Sequence, residues 1–255
     1  MYRYLAILIL FALSSFTVHA NTGSLTGLIS EIKVTGNRLV SEEEILDVIM
    51  AYKGQALSKE LIIEDLKRIY GMGYFVPQSV EAKPYQRPDG SILLEFEVEE
   101  NAPITDLIIY GGNQIKDIDP YQYFSDLIAK PENARLVSDK IHKLEQEYLK
   151  QGYILARVED IDMDSSGRLK IFIDEGIITS ISFNGNHKTQ DEYLQHLMSN
   201  TKLDEPYNER KFAKDYKRIQ GTTYFDDLNR VVKPSFDQEG YELELQLKEK
   251  AKFSS

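Results

Sequence analysis

The sequence predicts an α+β protein built from three tandem β-α-α-β-β units, each a small sheet with both helices on one face. Three observations predict it. A Gly-Asn pair ends an alternating strand three times, at Gly36-Asn37, Gly112-Asn113 and Gly185-Asn186, spaced 76 and then 73 residues apart. Two stretches of helical apolar spacing follow each pair. Each unit then closes on a hairpin whose last strand alternates apolar and polar residues. A repeat of this length is one supersecondary unit recurring.

The elements follow in order. Gly and Asn tolerate positive φ, so each pair forms a tight turn that hands the first strand to the first helix. Ser41 with Glu44, and Thr189 with Glu192, have the spacing of a capping box. In the middle unit Asp119 serves as N-cap, with Pro120 at the first helical position and Gln122 at the third. The buried stripe is Ile45, Leu46, Val48 and Ile49, then Phe124, Leu127 and Ile128, then Tyr193, Leu194, Leu197 and Met198.

The second helix is predicted to start at the caps Ser58, Ser138 and Asn208. Its stripes are Ile62, Leu66 and Ile69; Ile141, Leu144 and Tyr148; Phe212, Tyr216 and Ile219. Gly73 and Gly152 suit a left-handed C-terminal cap, whereas the third unit places Thr223 there. The hairpin turns are RPDG (87–90), SSGR (165–168) and DQEG (237–240). The closing strands bury Leu94, Phe96 and Val98; Leu169, Ile171 and Ile173; Leu243, Leu245 and Leu247. One face is therefore apolar, and two striped helices cover it.

The chain has 255 residues, no Cys and a formal net charge of −11. Residues 1–20 carry Arg3, an apolar run from Leu5 to Leu13, and Val18-His19-Ala20, the pattern of a secretory signal peptide cleaved before Asn21. No later segment is long and apolar enough for a transmembrane helix. Without Cys there is no disulfide and no cysteine-borne lipid. An acidic balance argues against nucleic acid as partner.

No catalytic constellation stands out. His142, His187 and His196 have no metal-ligand spacing. DIDMDSSG (160–167) departs from a calcium loop, because its Gly falls two positions late and Ile171 stands where a bidentate Glu is needed. The GMG at 71–73 has neither a phosphate-loop Lys nor the dinucleotide-binding spacing. No enzyme, cofactor or metal is expected.

The junctions VEENAPITDLIIYGGN (98–113) and IDEGIITSISFNGN (173–186) share a closing strand, an acidic residue, a short link, a strand and a turn. RIYGMGYFVPQSVEAKP (68–84) and YLKQGYILARVEDI (148–161) share a Gly-Tyr/Phe step out of the second helix. In these features the chain resembles the POTRA (polypeptide-transport-associated) arrays of the outer-membrane β-barrel assembly family. The resemblance covers about residues 28–250, read as POTRA-like domains at 28–101, 102–176 and 177–250. It implies mixed three-stranded sheets with the third strand central and the second at an edge. In that family a transmembrane barrel follows the array; this sequence closes its third copy at YELELQLKEKAKFSS (241–255), so the expectation is an array without its barrel, either free-standing or the front of a longer protein.

What the resemblance implies is a periplasmic scaffold without enzymatic activity. Its partners would be unfolded outer-membrane proteins and assembly-complex subunits, and it would reach the outer membrane only through a barrel or partner. Binding would use the edge strands, near Val80, Glu81, Ala82 and Lys83; Arg157, Val158 and Glu159; and Leu228, Arg230 and Val232. A second reading is a membrane-tethered interaction array of a division or secretion complex, held by an uncleaved segment 4–18.

Overall fold

The computed structural model of the protein describes residues 26–251. The expected signal peptide therefore lies outside the described residues. The chain divides into two compact units, the first ending at Asn101 and the second beginning at Ala102.

The first unit contains β1 (Ile29–Thr35), α1 (Glu42–Leu46), α2 (Lys59–Gly71), β2 (Glu81–Gln86) and β3 (Ile92–Glu97). The second contains two further copies. Copy two has β4 (Asp106–Tyr110), α3 (Tyr121–Phe124), α4 (Ala134–Gln151), β5 (Arg157–Met163) and β6 (Arg168–Asp174). Copy three has β7 (Ile178–Asn184), α5 (Asp191–Leu197), α6 (Glu209–Gly221), β8 (Phe225–Pro234) and β9 (Tyr241–Glu249).

Each sheet has its third strand in the centre, in the orders β1-β3-β2, β4-β6-β5 and β7-β9-β8. The first strand runs parallel to the centre and the second antiparallel, so every sheet is mixed. The alternation fits this: Leu94, Phe96, Leu169, Ile171, Leu243 and Leu245 of the central strands are all buried. Each copy has its own apolar cluster.

The turn after the first strand is built as the residue chemistry requires, with one correction. The equivalent glycines are Gly36, Gly111 and Gly185, at φ 88°, 78° and 91°, so copy two uses Gly111 rather than Gly112. A Cβ at any of the three would collide with a central-strand carbonyl, that of Val98, Ile173 or Leu247. Two residues beyond each carbonyl stands a glutamate that closes the turn. Glu100 accepts from the N–H groups of Arg38, Leu39 and Val40, and Glu175 from Asn113, Gln114 and Ile115. Glu249 accepts from Lys188 and Thr189. Three successive N–H groups make an anion-binding concavity, and here the anion is the chain's own.

Three helix starts differ from expectation. Ser41 and Glu44 do form the capping box, and Ser58 and Asn208 do cap their helices. Helix α4 is capped by Asn133, not Ser138, since the run Ala134–Val137 is already helical and buries Val137. Helix α5 starts one residue late with Gln190 at its N-cap, because Thr189 is held by the Glu249 carboxylate. Asp119 accepts from the Tyr121 N–H, and Pro120 is the residue immediately before the helix.

Candidate functional site

A central third strand leaves two edges on each sheet, and the chain covers one of them in part. The loop between the two helices runs beside the start of the first strand. Ile29, Ile104 and Ile178 each exchange backbone hydrogen bonds with it, through Gln55 and Gly54, Lys130 and Ala129, and Glu205 and Asp204. Glu42 takes the Val34 N–H further along β1, and Asp106 takes that of Leu107 in β4. The second strands have no such loop, and the expected binding residues lie on or beside them. Those residues sit in three separate sheets and form no single cavity.

In copy one, Val80 is buried just before β2 and the Ala82 side chain points into the core. Lys83 is tied to Glu97 and Glu81 on the solvent face. Pro84 pairs opposite Leu94. A proline fits inside a strand only where its missing N–H would point off the ladder. Ala82, Pro84 and Gln86 therefore form the free side, with a donor missing at its middle.

In copy two, Glu159 sits in an irregularity of β5, between Val158 and Asp160. The Val158 N–H, which points off the ladder, donates to Glu145 of α4 at 3.0 Å. The Ile161 N–H donates to the carboxylate of the preceding Asp160 at 2.9 Å. Two of the off-ladder donors of β5 are thus already satisfied.

In copy three, the Leu228 N–H donates to Asp227 at 2.9 Å and its carbonyl accepts from the Tyr216 hydroxyl at 3.0 Å. Arg230 turns its guanidinium inward onto the Tyr207 hydroxyl and the Glu209 carboxylate. It lies 5.6 Å from the Tyr207 ring centroid and 5.1 Å from that of Phe212, within cation–π reach. Burial, with the bond to Glu209, pushes the Tyr207 phenol up. Val232 is half-buried.

The carboxylates that close these edges were not among the residues expected from the sequence. Their signal is an Asp directly before an apolar strand residue, as in Asp106-Leu107, Asp160-Ile161 and Asp227-Leu228. Two shallow depressions accompany the edges. One of about 390 Å³ lies between β1 and α1, lined by Ile32, Leu46 and Ile49. Another of about 330 Å³ lies at the end of copy three, beside Thr223, Tyr224 and Lys250. Among the described residues no His, Cys, Asp and Glu side chains are grouped to hold a metal ion. No described helix is long and apolar enough to cross a membrane.

The repeated geometry has a counterpart in known proteins. The family model named POTRA, described as a surface antigen variable number repeat, matches residues 28–101 and 177–250. The chain belongs to the POTRA family. Copy two falls outside the matched residues yet has the same strand order and helix placement.

Two curated proteins resemble this POTRA chain. The outer membrane protein assembly factor BamA of Nitratidesulfovibrio vulgaris is 28% identical over 152 residues, 58% of this chain and 19% of that protein. A putative outer membrane protein assembly factor of Treponema pallidum is 26% identical over 178 residues, 67% of this chain and 21% of its own length. The match thus spans about a fifth of either relative. Among solved structures, the N-terminal domain of Omp85 from Thermosynechococcus elongatus aligns with a TM-score of 0.67 at 22% identity, covering 89% of this chain and 98% of that one. POTRA1-3 of the periplasmic domain of Omp85 from Anabaena gives 0.54 at 23% identity, covering 89% and 97%. Both show the fold.

Arg157, expected at a binding edge, opens β5 and also reaches the junction between the second and third POTRA copies. It pairs with Asp174 at 2.9 Å and donates to the Tyr241 hydroxyl, which itself donates to Asp174 at 2.8 Å. Burial, and then the bond to Asp174, raises the Tyr241 phenol. Nearby, α4 ends head-on against the start of α6. The carbonyls of Lys150, Gln151 and Gly152 accept from Arg210, the Asn208 amide and the Glu209 N–H. Orphan carbonyls of one helix meet orphan donors of the next.

Proposed function

We propose that this chain is a non-enzymatic periplasmic scaffold in outer-membrane protein assembly. It holds unfolded β-barrel precursors or partner subunits by strand addition at the edges of its sheets, with working domains at 28–101, 102–176 and 177–250. The signal-peptide pattern of residues 1–20 accounts for its export. The observation that carries the reading is the three-fold recurrence of a sheet whose second strand has a neighbour on one side alone. An edge of that kind offers backbone N–H and C=O groups to an extended chain, largely without regard to its sequence. The names of the two curated relatives point to the same process.

The test is a titration of the isotope-labelled mature chain with strand peptides from outer-membrane barrels, followed by amide chemical shifts. Shifts confined to second-strand residues are expected. A spectrum unchanged at high peptide concentration would sink the proposal.

A further inference from the structure

We infer that the three edges are unequal: copy three accepts a strand along β8, which has two neighbouring open residues, while in copies one and two the chain's own residues interrupt the open run. This rests on the strand-addition reading above and says where the strand goes.

Which backbone groups are open follows from the register. Leu228 has both its N–H and its C=O bonded to side chains, so it points off the ladder. Antiparallel strands repeat that orientation at every second residue, at Arg230, Val232 and Pro234. Pro234, with no N–H to give, fits the assignment. Among the described residues nothing off the ladder bonds the backbone of Arg230 or Val232. Two consecutive open residues provide two donors and two acceptors. By the same reasoning β2 loses its middle donor at Pro84. Ala82 and Gln86 on either side of it are then separated, and in β5 the Val158 and Ile161 donors are filled by Glu145 and Asp160, which leaves Met163 at the strand's end.

The flank of α6 defines the occupant. Glu209 reaches Arg230 and Tyr216 reaches Leu228, so the stripe 209, 213 and 216–217 of α6 looks onto this edge. Ala213 and Lys217 on it are exposed, and among the described residues no carboxylate pairs with Lys217. The occupant is an extended polypeptide segment with small or apolar residues at alternate positions, facing Ala213, and a carboxylate that reaches Lys217.

The experiment uses the full mature chain and two short alternating Val-Thr peptides, one with a Glu and one with a Lys at a single position. Amide shifts and slowed hydrogen exchange at Arg230 and Val232 are expected. Val232→Pro removes a free-edge donor and no ladder bond, so the remaining spectrum should persist while affinity falls at least tenfold. The Glu peptide should bind about 2- to 5-fold more tightly than the Lys peptide at low salt. In the double variant Glu145→Ala/Asp160→Ala, new protection should appear at Val158 and Ile161. Shifts at Ala82, at Val158 or on β7 in the wild type, with Arg230 and Val232 silent, would overturn the assignment to β8 and leave strand addition standing. Silence at every edge would remove strand addition itself. Unchanged binding by Val232→Pro overturns the acceptor role. A preference for Lys overturns the occupant's charge, and no gain in the double variant overturns the closing role of the carboxylates.

Discussion

At the scale of single residues, the repeats place the same backbone demand on different side chains. Gly54, Ala129 and Asp204 stand at equivalent positions in the loop beside the first strand, with φ of 94°, 66° and 57°. Gly73, Gly152 and Thr223 end the second helix in the same left-handed region, at 81°, 96° and 59°. A side chain there costs roughly 1–2 kcal/mol in sterics, offset in part by the extra entropy a glycine loses on folding. Thr223→Gly should therefore stabilise the protein by about 0.5–1 kcal/mol in urea unfolding, and Ala129→Gly by a similar amount. Either variant proving less stable than wild type would contradict the strain assigned here.

Carboxylates add a pH signature at the same scale. Glu249 lies below the usual range because the Thr189 hydroxyl, then the backbone N–H groups of Thr189 and Lys188, hold its charged form. Asp164 lies well below its usual value through the Ser166 hydroxyl and the N–H groups of its own turn, and Asp89 is lowered by the equivalent Ser91. A carboxyl depressed in the folded state contributes stability that is present above its unfolded value. That contribution is lost as pH falls through the folded value. Stability should hold from neutral pH down to the ordinary carboxylate range and then decline. Chemical denaturation at stepped pH checks this, and a rise in stability on acidification would refute it.

At the scale of elements, counting back eight residues from the left-handed position that follows each second helix reaches Asp65, Leu144 and Asp215, all fully buried. The aspartates hold the chain as it leaves the first helix. Asp65 accepts from Met50 and Ala51, and Asp215 from Asn200 and Thr201. Copy two does without that bond and fills the site with leucine. Asp65→Ala leaves two N–H groups without their charged acceptor, and an expected loss of about 3 kcal/mol follows. Leu144→Ala should cost a comparable amount for a different reason, a cavity. Urea unfolding of both variants measures the pair, and a loss below about 1 kcal/mol for Asp65→Ala would show that the carboxylate is not what anchors the loop.

At the scale of the molecule, copies two and three share one compact unit because a half-exposed ion pair and a helix-to-helix contact join them. The pair alone is worth little, on the order of 1 kcal/mol or less. Helix-end carbonyls satisfied by Asn208, Glu209 and Arg210 add to it. Arg157→Ala combined with Arg210→Ala should split the unfolding of these two copies into separate steps. Differential hydrogen exchange would show it, with copy two or copy three losing protection first. A single cooperative loss in that variant would place the coupling elsewhere.

The repeat, the order of its elements and the buried face of each closing strand were legible in the sequence, because period-two alternation, Gly turns and caps such as Ser41, Ser58 and Asn208 are written over a few neighbouring residues. The start of α4 was misplaced because Asn133 and Ser138 are both capable caps, and packing of Val137 settles between them. The Gly111–Gly112 choice likewise depended on which Cβ would meet the Ile173 carbonyl, 62 residues away in sequence. The candidate site was legible only as a set of edges. Which of their backbone groups are open depends on Glu145 taking the Val158 N–H and Tyr216 donating to the Leu228 carbonyl, across 13 and 12 residues. Local patterning determined the strands. Only the tertiary structure decided which backbone groups of the edges are bonded, because that depends on the side chains packed beside them.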